Sequence, residues 1–388
     1  MKKLVFLSIF TLFTAVLCIF NSDLNVSAIQ EEVLPKGSIS VGCSGSSAFV
    51  FDADSGRVFY EKNADAKRAM ASTTKIATAI TVIENCDDLD AIVKIDKRAV
   101  GIEGTSIYLR AGEELSVRDL LYGLMLRSGN DAACALAIYT AGSIDEFCLL
   151  MEETAKKAGA ENTSFANPHG LDAEEHYTTA RDLAKITAYA LKNEDFAQIV
   201  ATKNIKIPSS EEGMRFLANK NRLLNSLEGC IGVKTGYTGD AGRCLVSAVE
   251  RDGLKVVCVV LNCGPMFEES ASMLNAVCEK YSSYQILEPY QYIRDIPLEN
   301  GEVGSIQVFS KSGLKLALTE EERLNINIIY DLPEKLVAPV KSEQEIGKVE
   351  VYYGKRLIFS EKIYTIGEVD SKLLRDKVKD IIDHWGVN

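Results

Sequence analysis

The pattern of apolar and polar residues predicts a large mixed domain over the first three quarters of the chain. Residues 46–60 alternate between the two classes around Asp54-Ser55-Gly56, which indicates a β-hairpin. Three further alternating runs lie between 230 and 262 and predict strands. Apolar residues recur at helical spacing in four segments, which are 76–83, 115–126, 131–139 and 181–192. We therefore expect an α/β (α+β) domain over residues 29–285.

The pattern changes near residue 285. A helical stretch is expected to end at Glu288-Pro289, and short alternating runs dominate afterwards. Three of these runs place apolar residues on one face of a strand, and they are Leu314/Leu316/Leu318, Leu324/Ile326/Ile328 and Val349/Val351/Tyr353. We predict a small all-β domain over residues 286–368.

Helical spacing returns in the last segment, which predicts an amphipathic C-terminal helix over 369–388. Its apolar side chains share one face, and they are Leu374, Val378, Ile381, Ile382 and Trp385. A lone Trp beside Arg375 and Lys377 is typical of a helix that lies in a membrane interface. The other interpretation is a helix that packs this face on the β domain. In its favour, three Asp lie on the opposite face and would be repelled by an anionic membrane surface.

The N-terminal segment has the marks of a signal peptide. Lys2 and Lys3 precede an apolar run from Leu4 to Phe20, and Val26-Ser27-Ala28 supplies small residues for cleavage. A membrane-spanning helix is the other interpretation, but this run is at the low edge of the roughly 17–25 residues that cross a bilayer. We predict that residues 1–28 are a signal peptide. The protein is then exported to the cell wall or the outer face of the cytoplasmic membrane.

The net charge of the chain indicates which class of partner is unsuitable. The 388 residues carry a formal net charge of −12, and no basic stripe with interleaved aromatic residues is present, which excludes nucleic acid as a partner.

Ten Cys are present, and Cys18 belongs to the signal peptide. The odd number that remains leaves at least one thiol unpaired within the chain, and we expect mostly buried, reduced cysteines. Cys258 and Cys263 lack a matching His/Cys pair, so we predict neither a metal nor a cofactor.

Three short motifs carry the candidate chemistry, namely Ser72-Thr73-Thr74-Lys75, Ser128-Gly129-Asn130 and Lys234-Thr235-Gly236. Ser72 at the start of a helix is a nucleophile whose backbone N–H group and helix dipole stabilise an oxyanion. Lys75, three residues later, projects from the same face and reaches the Ser72 hydroxyl as a base. Lys75 must be neutral for this task, which requires burial or a neighbouring cation such as Lys234 to lower its pKa.

The other two motifs are expected to supply proton transfer and substrate contacts. Ser128 relays a proton to the leaving amine, and Asn130 holds the substrate amide. The Lys-Thr-Gly segment on an edge strand lets an extended peptide pair with its backbone, and Gly236 keeps that backbone accessible. Lys234 and Thr235 then bind the terminal carboxylate of the peptide.

A second S-x-x-K shows that one motif alone is weak evidence. Ser312-Gly313-Leu314-Lys315 lies in the predicted β domain, where Lys311-Ser312-Gly313 also resembles the third motif. No helix is predicted to begin at Ser312. We interpret these residues as a solvated turn.

In these motifs the sequence resembles the D-alanyl-D-alanine carboxypeptidases, the low-molecular-weight penicillin-binding proteins. The resemblance covers roughly 45–280 and includes the segments ASTTKIATA, GTSIYLRAGEELSVRDLLYGLMLRSGNDAA, FANPHGLDAEEHYTTARDL and GVKTGYTGDAG. It implies the serine β-lactamase/penicillin-binding-protein fold, an antiparallel sheet flanked by helices, commonly followed by a small β domain. It also implies an oxyanion hole formed by the N–H groups of Ser72 and Tyr237, with peptidoglycan stem peptides as substrates and β-lactam antibiotics as ligands.

Some residues depart from the family pattern. Glu268-Glu269 stand where certain relatives carry an Arg that binds the substrate carboxylate, and Lys220, Arg222 and Thr235 are the candidate substitutes. His169 belongs to a family segment, and we interpret it as ordering its loop, with catalysis as the alternative.

Other activities remain open at this point. A D,D-endopeptidase or transpeptidase would act on the same substrates. A β-lactamase of the commonest class needs an E-x-x-L-N loop between the second and third motifs, whereas Glu321–Asn325 lies in the β domain. An inactive peptidoglycan-binding module would not need the intact Ser72, Lys75 and Lys234.

Overall fold

A computed structural model describes residues 34–209 and 213–373, together with Val378. The predicted signal peptide (1–28) lies outside the described residues, as does most of the predicted C-terminal helix (369–388). The beginning of that helix was predicted wrongly. Val369 and Ser371 are extended and form isolated bridges to Val340 and Gly301, so they belong to the β domain.

The first domain contains eight helices and nine strands within the described residues. The helices are α1 (Lys75–Glu84), α2 (Val117–Tyr122), α3 (Asn130–Ala141), α4 (Ile144–Lys157), α5 (Ala180–Ala190), α6 (Glu194–Ala201), α7 (Leu223–Ser226) and α8 (Met266–Lys280). The strands are β1 (Ser47–Asp52), β2 (Val58–Lys62), β3 (Ile92–Lys94), β4 (Glu114–Ser116), β5 (Asn204–Pro208), β6 (Met214–Ala218), β7 (Cys230–Thr238), β8 (Gly242–Arg251) and β9 (Leu254–Leu261).

One antiparallel sheet organises this domain. Its strand order is β2-β1-β9-β8-β7, so β7, which carries the Lys-Thr-Gly motif, is an edge strand as predicted. The predicted hairpin is confirmed, because β1 pairs with β2 across the turn that contains Asp54-Ser55-Gly56. Two further antiparallel strand pairs, β3-β4 and β5-β6, lie outside this sheet.

The two faces of the sheet are covered by different helices, so β1 is apolar on both of its faces. Phe49 and Phe51 of β1 face a large core that includes α1 to α6. Ala48 and Val50 point the other way and pack with α8. All four side chains are buried, and burying each Phe stabilises the fold by roughly 1.5–3 kcal/mol. This is the α+β arrangement predicted from the sequence.

The helix predicted over 115–126 is interrupted. It begins as α2, where the Ser116 hydroxyl accepts the Asp119 N–H at 3.0 Å and caps the first turn. The Asp119 carboxylate accepts the Ser116 hydroxyl proton, so the pair is not a full capping box. From Gly123 to Arg127 the backbone widens into a π-helical turn, and this turn delivers Ser128 to the site described below.

The C-terminal domain contains eight strands and one short helix within the described residues. They are β10 (Ser282–Leu287), β11 (Tyr292–Glu299), β12 (Ser305–Ser310), β13 (Leu314–Leu318), α9 (Glu320–Arg323), β14 (Ile326–Asp331), β15 (Leu336–Val337), β16 (Glu345–Tyr353) and β17 (Arg356–Thr365). The main sheet has the order β14-β16-β17-β12-β11-β15, and β10 pairs with β13.

Two details of this domain differ from the sequence prediction. The helical stretch expected to end at Glu288-Pro289 ends at Lys280, and β10 follows it, because the apolar residues of 282–287 pair with β13. Leu324 was expected to lie on a strand, yet it lies in the turn after α9 and is 84% exposed. Val349 and Val351 share one face of β16, as predicted, and both are fully buried.

Arg57 joins the two domains. It is 3% exposed and donates two hydrogen bonds to the Glu322 carboxylate at 2.8 and 2.6 Å. A third bond, of 2.7 Å, reaches the backbone carbonyl of Ala317. A bidentate, largely buried pair of this kind fixes the orientation of its partners as well as attracting them.

The nine cysteines of the described residues are free thiols, six of them buried and three half-buried. This burial is as predicted. Within the described part of the chain, no single helix is long and apolar enough to cross a bilayer, and only α3 and α4 together, bent by 86°, meet that criterion of length and composition.

Candidate active site

Ser72 lies on a tight turn that leads into α1. Residues Ala71–Thr74 form a 3₁₀ turn, and α1 continues from Lys75. The non-glycine residue Ala71 has φ of +49°, a sparsely populated conformation that costs free energy and is typical of functional sites. The turn holds the Ser72 hydroxyl 3.0 Å from the Lys75 ammonium nitrogen, Nζ. The predicted contact between the two residues is therefore present.

Lys75 is completely buried, and its nitrogen has three oxygen neighbours. Besides Ser72 they are the side-chain oxygen of Asn130, at 2.7 Å, and the carbonyl of His169. A neutral amine donates two hydrogen bonds and keeps one lone pair. If Asn130 and His169 accept the two donors, the lone pair points at the Ser72 hydroxyl.

Burial and the nearby Lys234 charge lower the pKa of Lys75 well below its ordinary value. Burial and the charge of Lys220 lower the pKa of Lys234 to about 7. Lys234 is 1% exposed and donates to the carbonyl of Thr235 at 2.9 Å. Burial beside a second buried lysine thus favours the neutral, proton-accepting form of Lys75.

Ser128 ends the π-helical turn with φ of +67°, again in the left-handed region. Its hydroxyl is buried and has no hydrogen-bond partner among the described residues. Buried polar groups are normally satisfied, so an unpaired hydroxyl that borders a cavity is available to a ligand.

Asn130 contacts Lys75 and the backbone of a neighbouring loop. Its amide oxygen accepts from Lys75, and its amide nitrogen donates to the carbonyl of Glu103 at 2.6 Å. Asn130 thus fixes the position of the Lys75 amine and keeps one N–H donor for a further partner. Its contact with the substrate amide stays a prediction.

A cavity of about 720 Å³ opens beside these residues. Ser72, Ser128, Thr235 and Gly236 of the three motifs line it, as does the adjacent Tyr237. The remaining lining residues are Thr105, Asn219, Lys220, Arg222, Arg243, Met266 and Phe267. This size is sufficient for a small ligand or a short peptide.

Gly236 lets the edge strand approach the Ser72 turn. A Cβ at this position would lie 3.1 Å from the backbone nitrogen of Ser72 and 3.1 Å from the Cβ of Ala71. The backbones that carry the Ser72 and Tyr237 N–H groups are therefore adjacent, as the predicted oxyanion hole requires.

Three cationic side chains border the cavity. They are candidates to bind a substrate carboxylate in place of the Arg that certain relatives carry. Lys220 and Arg222 were proposed from the sequence, and both line the cavity. Arg243 was missed in the sequence, because it lies on the next strand after the Lys-Thr-Gly motif. The antiparallel pairing of Tyr237 with Arg243 between β7 and β8 places it at the cavity. Glu269 instead accepts from the backbone of Ser44, at 2.8 Å.

His169 and His176 support the site from behind. The ring nitrogen Nδ1 of His169 accepts the Leu171 N–H at 3.2 Å, within the same loop. His176 contacts the Thr74 hydroxyl at 2.9 Å and was not singled out from the sequence. Burial lowers the pKa of each ring to about 4, so both are neutral at physiological pH. Loop ordering, as predicted for His169, fits these contacts.

Asp131 is a further residue that sequence reasoning missed. It is 1% exposed, and its carboxylate accepts from the backbone of Ile107 and Leu109 and from the Ser106 hydroxyl at 2.6 Å. These bonds fasten the loop that carries Thr105 to the beginning of α3. Acidic residues beside a helix N-terminus are common, so the sequence alone does not show that Asp131 holds this loop.

The comparisons with known proteins agree with this geometry. The sequence profile of the D-alanyl-D-alanine carboxypeptidase family matches residues 38–264, and that of the penicillin-binding protein 5 C-terminal domain matches residues 281–371. The chain is 31% identical to the D-alanyl-D-alanine carboxypeptidase DacF of Bacillus subtilis over 309 residues, which cover 78% of this chain and 79% of DacF. It is 30% identical to DacC of Escherichia coli, with 86% of each chain covered.

A solved structure shares the same fold. The crystal structure of the D-alanyl-D-alanine carboxypeptidase DacD from Francisella tularensis superposes with a TM-score of 0.66 at 27% identity, covering 91% of this chain and all of that one. The likeness therefore extends over both domains.

Proposed function

The chain belongs to the D-alanyl-D-alanine carboxypeptidase family of serine peptidases, and from that premise we propose that Ser72 is the nucleophile with which it removes the terminal D-alanine of peptidoglycan pentapeptides. It is a serine-type, penicillin-binding carboxypeptidase. The observation that carries the assignment of the nucleophile is the 3.0 Å contact between the Ser72 hydroxyl and the buried Lys75 amine.

In the acylation step, Lys75 accepts the Ser72 hydroxyl proton as the oxygen attacks the carbonyl carbon of the last peptide bond. The N–H groups of Ser72 and Tyr237 stabilise the oxyanion of the tetrahedral intermediate. Ser128 passes its proton to the leaving nitrogen and regains one from protonated Lys75, the C–N bond breaks, and D-alanine departs. Water then hydrolyses the ester and restores the Ser72 hydroxyl.

Substrate recognition rests on the edge strand and the cations. An extended peptide pairs with the β7 backbone beside Thr235 and Gly236. The terminal carboxylate meets the Thr235 hydroxyl and the positive charge of Lys234, with Lys220, Arg222 and Arg243 bordering the same cavity. A β-lactam presents a carboxylate and a strained amide to the same groups.

Penicillin labelling tests the assignment of the nucleophile. We expect the penicilloyl adduct to persist for minutes or longer, because the sole E-x-x-L-N, at Glu321–Asn325, lies in the C-terminal domain. Mass spectrometry of a peptic digest should place the adduct on the peptide that contains Ser72. An adduct on Ser312 would remove the proposal, and a D-alanine release assay separates carboxypeptidase activity from transpeptidation or endopeptidase cleavage.

We further propose that the protein is exported by its signal peptide, residues 1–28, and works at the outer face of the cytoplasmic membrane or in the cell wall. Its substrate is found there, and the sequence features of residues 1–28 support this location. N-terminal sequencing of the protein secreted by a bacterial host should begin at Ile29. Retention of the full leader in a membrane-embedded form would contradict cleavage.

The C-terminal segment is proposed to make a peripheral membrane contact. Trp385 with the apolar residues of its helical face supports this, and the Asp residues opposite limit its strength. We expect the mature protein to sediment with anionic liposomes at low salt, and a truncation after Leu373 to stay in solution with an unchanged carboxypeptidase rate. This truncation retains the bridges of Val369 and Ser371. If the mature protein does not sediment, the helix belongs to the fold.

A further inference from the structure

A cluster of two thiols and a carboxylate lies outside the catalytic machinery. Cys43 precedes β1, Cys263 follows β9, and Glu269 is in the first turn of α8. One ligating atom from each of the three residues lies within 4.8 Å of the others. Cys43 is 7% exposed and Cys263 is fully buried, whereas Glu269 is half-buried. Among the described residues, this group combines the sulfur and oxygen ligands that zinc accepts.

The spacing of these atoms suits a shared ion. The two sulfur atoms are 3.9 Å apart, and two sulfurs bound to one tetrahedral zinc at about 2.3 Å are separated by about 3.8 Å. The Glu269 oxygen is 3.1 Å from the Cys263 sulfur, against roughly 3.5 Å for a sulfur and an oxygen on the same ion. A disulfide would need the sulfurs to approach to about 2.05 Å. The ligands thus need only small shifts to enclose a cation.

The surrounding backbone orients the ligands. The N–H group of Gly45 donates to the Cys43 sulfur at 3.3 Å, and that of Ser44 donates to the Glu269 carboxylate at 2.8 Å. Hydrogen bonds of this kind fix ligand geometry in metal sites. Gly45 itself is close-packed, since a Cβ there would lie 2.8 Å from the Cβ of Cys263.

We propose that Cys43, Cys263 and Glu269 bind a divalent cation of the zinc type, with a water molecule as the fourth ligand. Binding deprotonates the two thiols and releases their protons to solvent. The charge of the cation offsets the two thiolates and the carboxylate, and the N-terminus of α8 adds favourable dipole charge. The sequence spacing does not reveal this site, because Cys43 and Cys263 are 220 residues apart. The proposal departs from the sequence prediction, which contained no metal.

The site would fasten a wall of the catalytic cavity. The chain between Cys263 and Glu269 includes Met266 and Phe267, which line that cavity. A cation bound at both ends of this segment, and also to Cys43, ties the segment to the chain before β1. The cation therefore stabilises the segment beside the substrate cavity and takes no part in the acylation reaction.

Metal titration of the full mature chain tests the proposal. Reduced, chelator-treated protein is titrated with Co²⁺ as the spectroscopic probe and with Zn²⁺ in native mass spectrometry. We expect one ion per chain and a thiolate-to-cobalt charge-transfer band in the wild type. The matched control Cys86→Ser alters a half-buried thiol outside the cluster and should retain both. Cys43→Ser should lose the band, and Glu269→Gln should bind at least ~10-fold more weakly.

Thermal unfolding provides a second measurement, because a ligand that binds the folded state raises its stability. Zn²⁺ should raise the midpoint for the wild type and Cys86→Ser, and leave Cys43→Ser unchanged. Penicillin labelling at Ser72 checks that each variant is folded. A wild type that binds neither ion overturns the proposal. So does binding that survives Cys43→Ser, or a Cys43–Cys263 disulfide found as the loss of two titratable thiols in the denatured, unreduced protein.

Discussion

Two S-x-x-K motifs of the same chain have opposite environments. In the first, Lys75 is fully buried and its amine is 3.0 Å from the Ser72 hydroxyl. In the second, Ser312 is exposed on the turn between β12 and β13, and the Lys315 ammonium pairs with the Asp54 carboxylate at 2.7 Å. The spacing in the sequence is identical, and only the first pair can exchange a proton.

The difference arises from what surrounds each lysine. Burial and the charge of Lys234 lower the pKa of Lys75, whereas Lys315 lies near the surface in an ion pair with Asp54. The 3₁₀ turn and α1 also put Ser72 and Lys75 on one face, while β13 carries Lys315 away from Ser312. A nucleophile therefore requires a helical turn, burial and a neighbouring charge as well as a motif.

The largest effect that tests this comparison is the loss of the nucleophile. Ser72→Ala should lower the rate of D-alanine release by at least about 10⁴-fold, since the acyl-enzyme can no longer form. Ser312→Ala should have wild-type activity and penicillin labelling. Equal losses in the two variants, both folded by circular dichroism, would place the second motif in the reaction.

Removal of the base should have the next largest effect. Lys75→Ala is expected to slow acylation by penicillin at least ~10²-fold, while peptide affinity, which rests mainly on Lys234 and Thr235, changes little. Lys315→Ala is the matched control and should acylate at the wild-type rate. If Lys75→Ala acylates as fast as the wild type, another group takes the proton.

The pH dependence of acylation should be sensitive to the lysine pair. Only neutral Lys75 accepts a proton, so the acylation rate rises as the pH rises through the pKa of Lys75. The Lys234 charge lowers that pKa, and Lys234→Gln should therefore move the acidic limb of the profile to higher pH. Lys220→Gln should give a smaller shift in the same direction. A limb that stays in place or moves down would show that the lysines are not coupled in this way.

The smallest effect on activity should come from the contact between the domains. Glu322→Gln retains the helix cap at Thr319 but removes the charge that Arg57 pairs with. We expect the free energy of unfolding to fall by about 2–4 kcal/mol, with an unchanged carboxypeptidase rate. The exposed pair of Lys362 with Glu345 provides the control, because Glu345→Gln should cost less than about 1 kcal/mol. A similar loss in both variants, measured by chemical denaturation, would argue against a special role for Arg57.

The sequence determined those features that depend on near neighbours in the chain. Ser72 and Lys75 meet because a helical turn brings residues three apart onto one face. The turn residues Asp54-Ser55-Gly56 within residues 46–60 predicted the hairpin of β1 and β2. Glycine in the Lys-Thr-Gly motif could be predicted as a point of close approach, although only the structure shows that Gly236 faces the Ser72 turn.

The tertiary structure alone decided which distant residues meet. Asn130 orients Lys75 because the beginning of α3 is packed against α1 and the Glu103 carbonyl takes the other side of its amide. Arg243 reaches the cavity through strand pairing, and Cys43 meets Cys263 across 220 residues. Sequence patterns record local periodicity, whereas these contacts depend on how the sheet and helices close around one core. For the same reason Lys75 could be proposed as a base from its spacing, but its complete burial, which makes it one, could be seen only in the folded chain.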